Sequence, residues 1–145
     1  MGEHGNDRHE QRQGFKEGFN RLFNYISGDN EAGQKIDMTA PVLMKVTDNS
    51  DMMTVSFFIP FEHQDSPPAP SAENVFIKEV PEHEVYVRSF SGYADQDDYS
   101  REAQALAASL QQASSSFEEG VYFTAGYDAP FKPVNRHNEV WYKKA

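Results

Sequence analysis

The stretch VYFTAGYDAPFKPVNRHNEVW, residues 121–141, starts as a β-strand, stops at Gly126 and resumes as a strand at Glu139. The interruption carries Pro130, Pro133, Lys132, Arg136 and His137, which is more chemistry than a turn requires.

Working outward, SSSFEEG ends a helix that Asp95 or Asp97 can cap and that runs to about Gln112, with Tyr99, Ala103, Leu106 and Leu110 on its inner face. NVFIKEV (74–80) and EHEVYVRSF (82–90) read as two strands separated by Pro81. HQDSPPAPSAEN (63–74) reads as a proline-rich surface connection, a linker rather than a ligand for a polyproline-binding domain.

In KIDMTAPVLMKV (35–46), Ile36, Met38, Ala40, Val42, Met44 and Val46 alternate, which predicts a half-buried strand with a bulge or sheet edge at Pro41. TDNSD is the turn into MTVSFFIPF (53–61), where Met53, Val55, Phe57 and Ile59 alternate. Phe15, Phe19, Leu22, Phe23 and Ile26 fall on one face of a helix that Gly28 stops. Residues 1–12 are polar without periodicity, a disordered lead or the frayed start of that helix, and residues 13–145 form the expected single domain.

Set side by side, MTAPVLM (38–44) and FTAGYDAP (123–130) suggest one unit used twice, with most of the weight in the order of elements. The second helix is preceded by the strand EVYVRSF, whereas only the polar lead precedes Phe15. The first copy lacks its opening strand, which leaves two expectations: a chain shortened relative to its relatives, or an uncovered sheet edge open to a homodimer or a ligand.

A net charge of −10, from 13 basic and 23 acidic residues, repels phosphate backbones and argues against nucleic acid as a partner. The absence of cysteine excludes disulfides and thiol chemistry. No stretch resembles a signal peptide or a membrane span, so the expected location is cytoplasmic, without stable membrane insertion. No nucleophile elbow, phosphate loop, dinucleotide fingerprint or paired histidine motif occurs, so neither an enzyme nor a metal site is expected. Eleven Phe, seven Tyr and one Trp can fill a core or line an apolar cleft.

The runs GFNRLFNYISGDNE, MTAPV, FFIPFEHQDSPPAPSAENVFI, VYVRSFSGYA and VYFTAGYDAPFKPVNRHNEVW together resemble the SOUL or haem-binding protein family, in order over roughly residues 14–143. The resemblance implies an α+β fold: a distorted antiparallel β-barrel-like sheet from two pseudo-symmetric halves, each with one packed helix. It implies noncovalent binding or buffering of haem or a related tetrapyrrole in an apolar cleft between the first helix and the loop before the last strand. Family chains normally begin with a strand before the first helix, where a histidine proposed as an iron ligand in one branch lies, and that segment has no counterpart here.

By that analogy Phe19, Leu22, Phe23, Met38 and Phe131 are candidates for the walls of the cleft, together with Met44. Arg21, Lys132 and Arg136 are candidates for the propionates. His137 is the one histidine near the cleft, but beside Asn138 in a turn its commoner role is a surface hydrogen bond, so no metal ligand is assigned. The alternative implied by one branch of the family is an interaction module linked to mitochondrial permeability and cell death, acting through the second helix at residues 105–117. Leu106 and Leu110 would be its anchors, but the acidic residue that should follow them is absent, and core packing explains the same leucines.

Overall fold

Helical spacing of Phe15, Phe19, Leu22, Phe23 and Ile26 becomes helix α1, Gly2–Ile26, in the computed structural model. The structure describes residues 2–48, 53–128 and 134–145. Helix α1 takes in the polar lead and ends before Gly28, whose φ of 117° only glycine adopts without strain. The strands are β1 (Val42–Thr47), β2 (Met53–Phe57), β3 (Val85–Ser91), β4 (Val121–Gly126) and β5 (His137–Lys143). Helix α2, Gln96–Gln112, lies between β3 and β4, and a short 3-10 turn spans Phe61–His63.

Among the described residues five strands form one antiparallel sheet in the order β2-β1-β4-β5-β3, the α+β architecture expected, with β2 and β3 at its two edges. Residues directly opposite each other across strands share a face. The row Phe57, Val42, Gly126, Asn138, Phe90 and the row Val55, Met44, Thr124, Val140, Arg88 therefore face one way. Both helices pack on this face: α1 on β2, and α2 on β5 and β3. Met44 and Val140 are its most enclosed large side chains.

Two apolar clusters hold the helices. Ala103, Leu106 and Leu110 of α2 meet Val140 and Tyr142, the inner face expected for this helix, with Tyr99 packed against the cluster. Asp95 caps α2 by accepting from the Asp98 N–H, and the Asp98 carboxylate accepts from the Asp95 N–H in return. At the end of α1, Tyr25, Ile26, Ile36 and Val75 form the second cluster, with Leu22 and Phe57 against it. The proline-rich connection is pinned there, because the Tyr25 hydroxyl donates to the Pro68 carbonyl at 2.6 Å and the Glu31 N–H donates to Ala69 at 2.9 Å. Buried Asn30 satisfies the turn after α1, donating to the Tyr25 and Gln34 carbonyls and accepting from the Gln34 N–H.

Several expected strands differ. The strand expected from Ile36 begins only at Val42, since Pro41 has no N–H for the ladder. The run 53–61 stops at Phe57, ahead of Pro60. NVFIKEV is not a strand: Val75 is taken into the cluster under α1, while Phe76, Ile77 and Val80 stay exposed. The Thr-Ala match is also out of register, because Thr39-Ala40 precedes β1 whereas Thr124-Ala125 lies within β4. The repeat is one of topology: a helix followed by two paired strands, twice.

Helix α1 approaches β2 through Gly14 and Gly18. A Cβ at Gly18 would lie 2.7 Å from Val55 Cγ2, a β-branched side chain that cannot swing away; at Gly14 it would meet the flexible Met53 sulfur at 3.0 Å. Gly18→Ala is expected to cost a net ~1 kcal/mol, overpacking outweighing the ~1 kcal/mol gain in helix propensity, and Gly14→Ala to be neutral or stabilising. Urea unfolding of the two variants checks this, and equal stabilisation by both would refute the close approach.

Candidate functional site

One end of the sheet gathers exposed apolar side chains. There β1 and β5 begin while β2, β3 and β4 finish. Phe58 and Phe61 follow β2, Tyr93 follows β3, Met38 precedes β1 and Val134 precedes β5; all are exposed. Phe23 joins them from the C-terminal half of α1, 48 % exposed. Burial of these side chains elsewhere would stabilise the fold by about 1.5–3 kcal/mol each, so their collection at one end marks a surface suited to an apolar ligand.

The candidate residues divide between two sides of this end. Phe19 is half-buried, stacked with Phe23 at 6.2 Å between ring centroids and edge-on to Phe57 at 5.2 Å. Leu22 is half-buried in the cluster at the end of α1, and Arg21 and Met38 are exposed. Met44, expected to help line the cleft, is instead sealed in the core beneath the helices. On the β5 side, the Arg136 guanidinium lies over the Tyr93 ring, 4.1 Å from its centroid. Three strand spacings separate β2 from β5, roughly 14 Å. Phe131 and Lys132, with Pro130 and Pro133, lie outside the described residues.

His137 is directed away from the α1 phenylalanines. Asn138 shares the face of Phe57, so its neighbour His137 points to the opposite face. There its Nε2 is 2.6 Å from Glu139 Oε2. The other Glu139 oxygen accepts from Trp141 Nε1 at 2.8 Å and from the Tyr127 hydroxyl at 2.9 Å. The rings of Tyr127 and His137 meet edge-on at 5.0 Å, and the His137 N–H donates to Asp128. The spacing His137, Glu139, Trp141 at every second residue puts all three on one strand face and is the sequence signal for this cluster; Tyr127, across the connection, carries no such signal.

Burial by itself pushes the Glu139 carboxyl up, but hydrogen bonds from His137, Trp141 and Tyr127 outweigh it and hold the carboxyl below its ordinary value. The same burial, together with the carboxylate, pushes the Tyr127 phenol up to about 12. A carboxyl lowered by folding contributes stability above its unfolded value, ~4.3, and that contribution is lost as pH falls through the lower folded value. Glu139→Gln is therefore expected to destabilise by about 1–2 kcal/mol at pH 7. The gap from the natural chain should narrow as pH falls below ~4. Urea midpoints between pH 3 and 7 measure this, and a gap that stays constant would refute the linkage.

Among the described residues no group of three His, Asp or Glu could hold a metal ion, and no helix is long and apolar enough to cross a membrane. Leu106 and Leu110, the anchors of the alternative reading, are 8 % and 7 % exposed and belong to the core under α2.

Comparison with known proteins matches the model of the SOUL heme-binding protein family over residues 4–143. Among relatives, the chain is 43 % identical to "Heme-binding protein 2" of Homo sapiens over 129 residues, 86 % of this chain and 63 % of that protein. It is 38 % identical to "Heme-binding protein 1" of Mus musculus over 138 residues, 92 % of this chain and 73 % of that protein. It thus spans less than two thirds of the human relative's length. The order of elements, the sheet and the match over nearly all residues lead to one conclusion: the chain belongs to the SOUL heme-binding protein family.

Proposed function

We propose that this chain is a cytoplasmic protein that binds or buffers haem or a related porphyrin noncovalently, at the sheet end between the C-terminal half of α1 and the connection before β5. The observation that carries the reading is the set of exposed apolar side chains at that end, Phe23, Met38, Phe58, Phe61, Tyr93 and Val134, with Arg21 and Arg136 close to them in sequence. A planar macrocycle with two carboxylates calls for this combination: apolar side chains for its ring and guanidinium donors for its edge. The family and the names of the relatives point the same way.

Ring burial supplies the affinity on this reading. At ~25 cal/mol per Å² of apolar area, partly offset by the cost of association, a half-covered macrocycle reaches micromolar binding without an iron ligand. His137, turned to Glu139 on the other face, acts as part of the scaffold. The Glu139 carboxylate is occupied by three protein partners, which suits a structural role rather than acid–base turnover, so the protein holds the ring without transforming it.

Titration of the purified chain with haemin and with metal-free protoporphyrin, followed in the Soret band, tests this. Both should saturate at one per chain. Phe23→Asp should weaken both by about tenfold, ~1.4 kcal/mol. Arg21→Gln with Arg136→Gln should weaken the free acids but not their dimethyl esters, and His137→Ala should leave haemin affinity within about twofold. Failure to saturate below ~10 μM, or loss of binding in His137→Ala alone, would overturn the proposal.

A further inference from the structure

Where β3 and β5 meet at the apolar end of the sheet, an arginine is held against an aromatic ring. β3 ends at Ser91, Gly92 turns the chain with a φ of 91°, and Tyr93 follows. Buried Asn138 donates to the Phe90 carbonyl at 3.3 Å and to the Gly92 carbonyl at 2.8 Å, which ties this turn to the start of β5. Arg136 immediately precedes β5, and its guanidinium lies over the Tyr93 ring, 4.1 Å from the centroid. The hydroxyl of Tyr99 on α2 reaches the same corner, donating to Asn138 Oδ1 at 3.4 Å. Burial pushes the Tyr99 phenol up and the positive charge of Arg136 acts against that rise, which places the guanidinium near Tyr99 as well.

We propose that Tyr93 positions Arg136 for a carboxylate of the tetrapyrrole and thereby sets the preference of the site for free acids over neutral rings; the proposal rests on the haem-binding reading. A guanidinium carries all five of its N–H donors in one plane. A ring stacked on its face engages none of that edge, which can meet a carboxylate with two parallel bonds. An arginine held in this way has lost much of its rotamer freedom before the ligand arrives, so less ordering opposes binding. Tyr93 is 60 % exposed, the most exposed tyrosine among the described residues, so its ring contributes little to the core. Arg21 on α1 is exposed and, among the described residues, has no ring beneath it, so it meets a carboxylate without that advantage.

The test titrates the full chain with metal-free protoporphyrin and with its dimethyl ester, followed by porphyrin fluorescence, and reads the ratio of the two dissociation constants. The ester keeps the ring and removes the charges, so lost apolar contact or lost fold weakens both compounds and leaves the ratio unchanged. The natural chain should favour the acid. Tyr93→Leu should shrink that preference by about threefold, and Tyr93→Phe, which keeps the ring face, should retain it. Arg136→Gln should shrink it more than Arg21→Gln does. In a chain already carrying Arg136→Gln, Tyr93→Leu should change the ratio no further. Equal weakening of acid and ester by Tyr93→Leu, the same loss of preference in Tyr93→Phe, a greater loss from Arg21→Gln than from Arg136→Gln, or a further loss in the Arg136→Gln chain would each overturn this proposal alone. Saturation by neither compound in the natural chain would overturn the haem-binding reading and the proposal together.

Discussion

β1 and β4 pair over their whole length, from Val42 with Gly126 to Thr47 with Val121. Among the described residues this ladder is the one strand pairing that joins the half carrying α1 to the half carrying α2. Met44, at its middle, is among the most enclosed side chains in the protein, opposite buried Thr124 and in line with Val140 on β5. A polar residue at Met44 would bury an unsatisfied group between the two helices and separate the halves. The apolar end of the sheet and the Glu139 cluster both depend on this ladder, because it fixes which ends of the strands lie together.

At one of those ends the fold leaves apolar surface uncovered, while on the sheet face away from the helices it satisfies a carboxylate completely. The two features depend on the same alternation in β5. Asn138 turns inward and donates to the Phe90 and Gly92 carbonyls, tying β5 to the end of β3. Its neighbours His137 and Glu139 turn outward and join Tyr127 and Trp141. Tyr127 and His137 flank the connection before β5, and both are held by the same carboxylate, so the ends of that connection are fixed however its middle is arranged. On the proposed reading, that rigidity is what a binding rim needs from its base.

The close contact between α1 and β2 has a different character. Gly18 faces Val55 with no room for a methyl group, so the helix lies tight on an edge strand. The same contact supports Phe19 on Phe57 and leads α1 on to the cluster of Tyr25, Ile26, Ile36 and Val75. Phe23, one turn from Phe19, extends past the sheet and stays exposed. A helix anchored by glycines near its middle and by a buried tyrosine at its end thus presents a phenylalanine to solvent between them.

Local pattern made much of this legible. Period-two alternation marked β1 and β2, the break between Gly126 and Glu139 marked off the last two strands, helical spacing marked both helices, and Asp95 was one of two readable caps because its carboxylate acts on N–H groups three residues away. Proline cut two expected strands short, and NVFIKEV failed as a strand because Val75 was drawn under α1, a competition invisible in a local window. Among candidate residues, Phe19, Leu22 and Phe23 stood on the expected helix face, but nothing local distinguished Met38, which is exposed, from Met44, which is sealed. The sequence by itself determined both helices, the runs that become the strands, their order and the alternation that sorts a strand's side chains into two faces, since these depend on backbone geometry within a few residues. Only the tertiary structure decided which strand ends meet, which face the helices cover and which edge stays unpaired, because burial and pairing are settled by residues far apart in the chain.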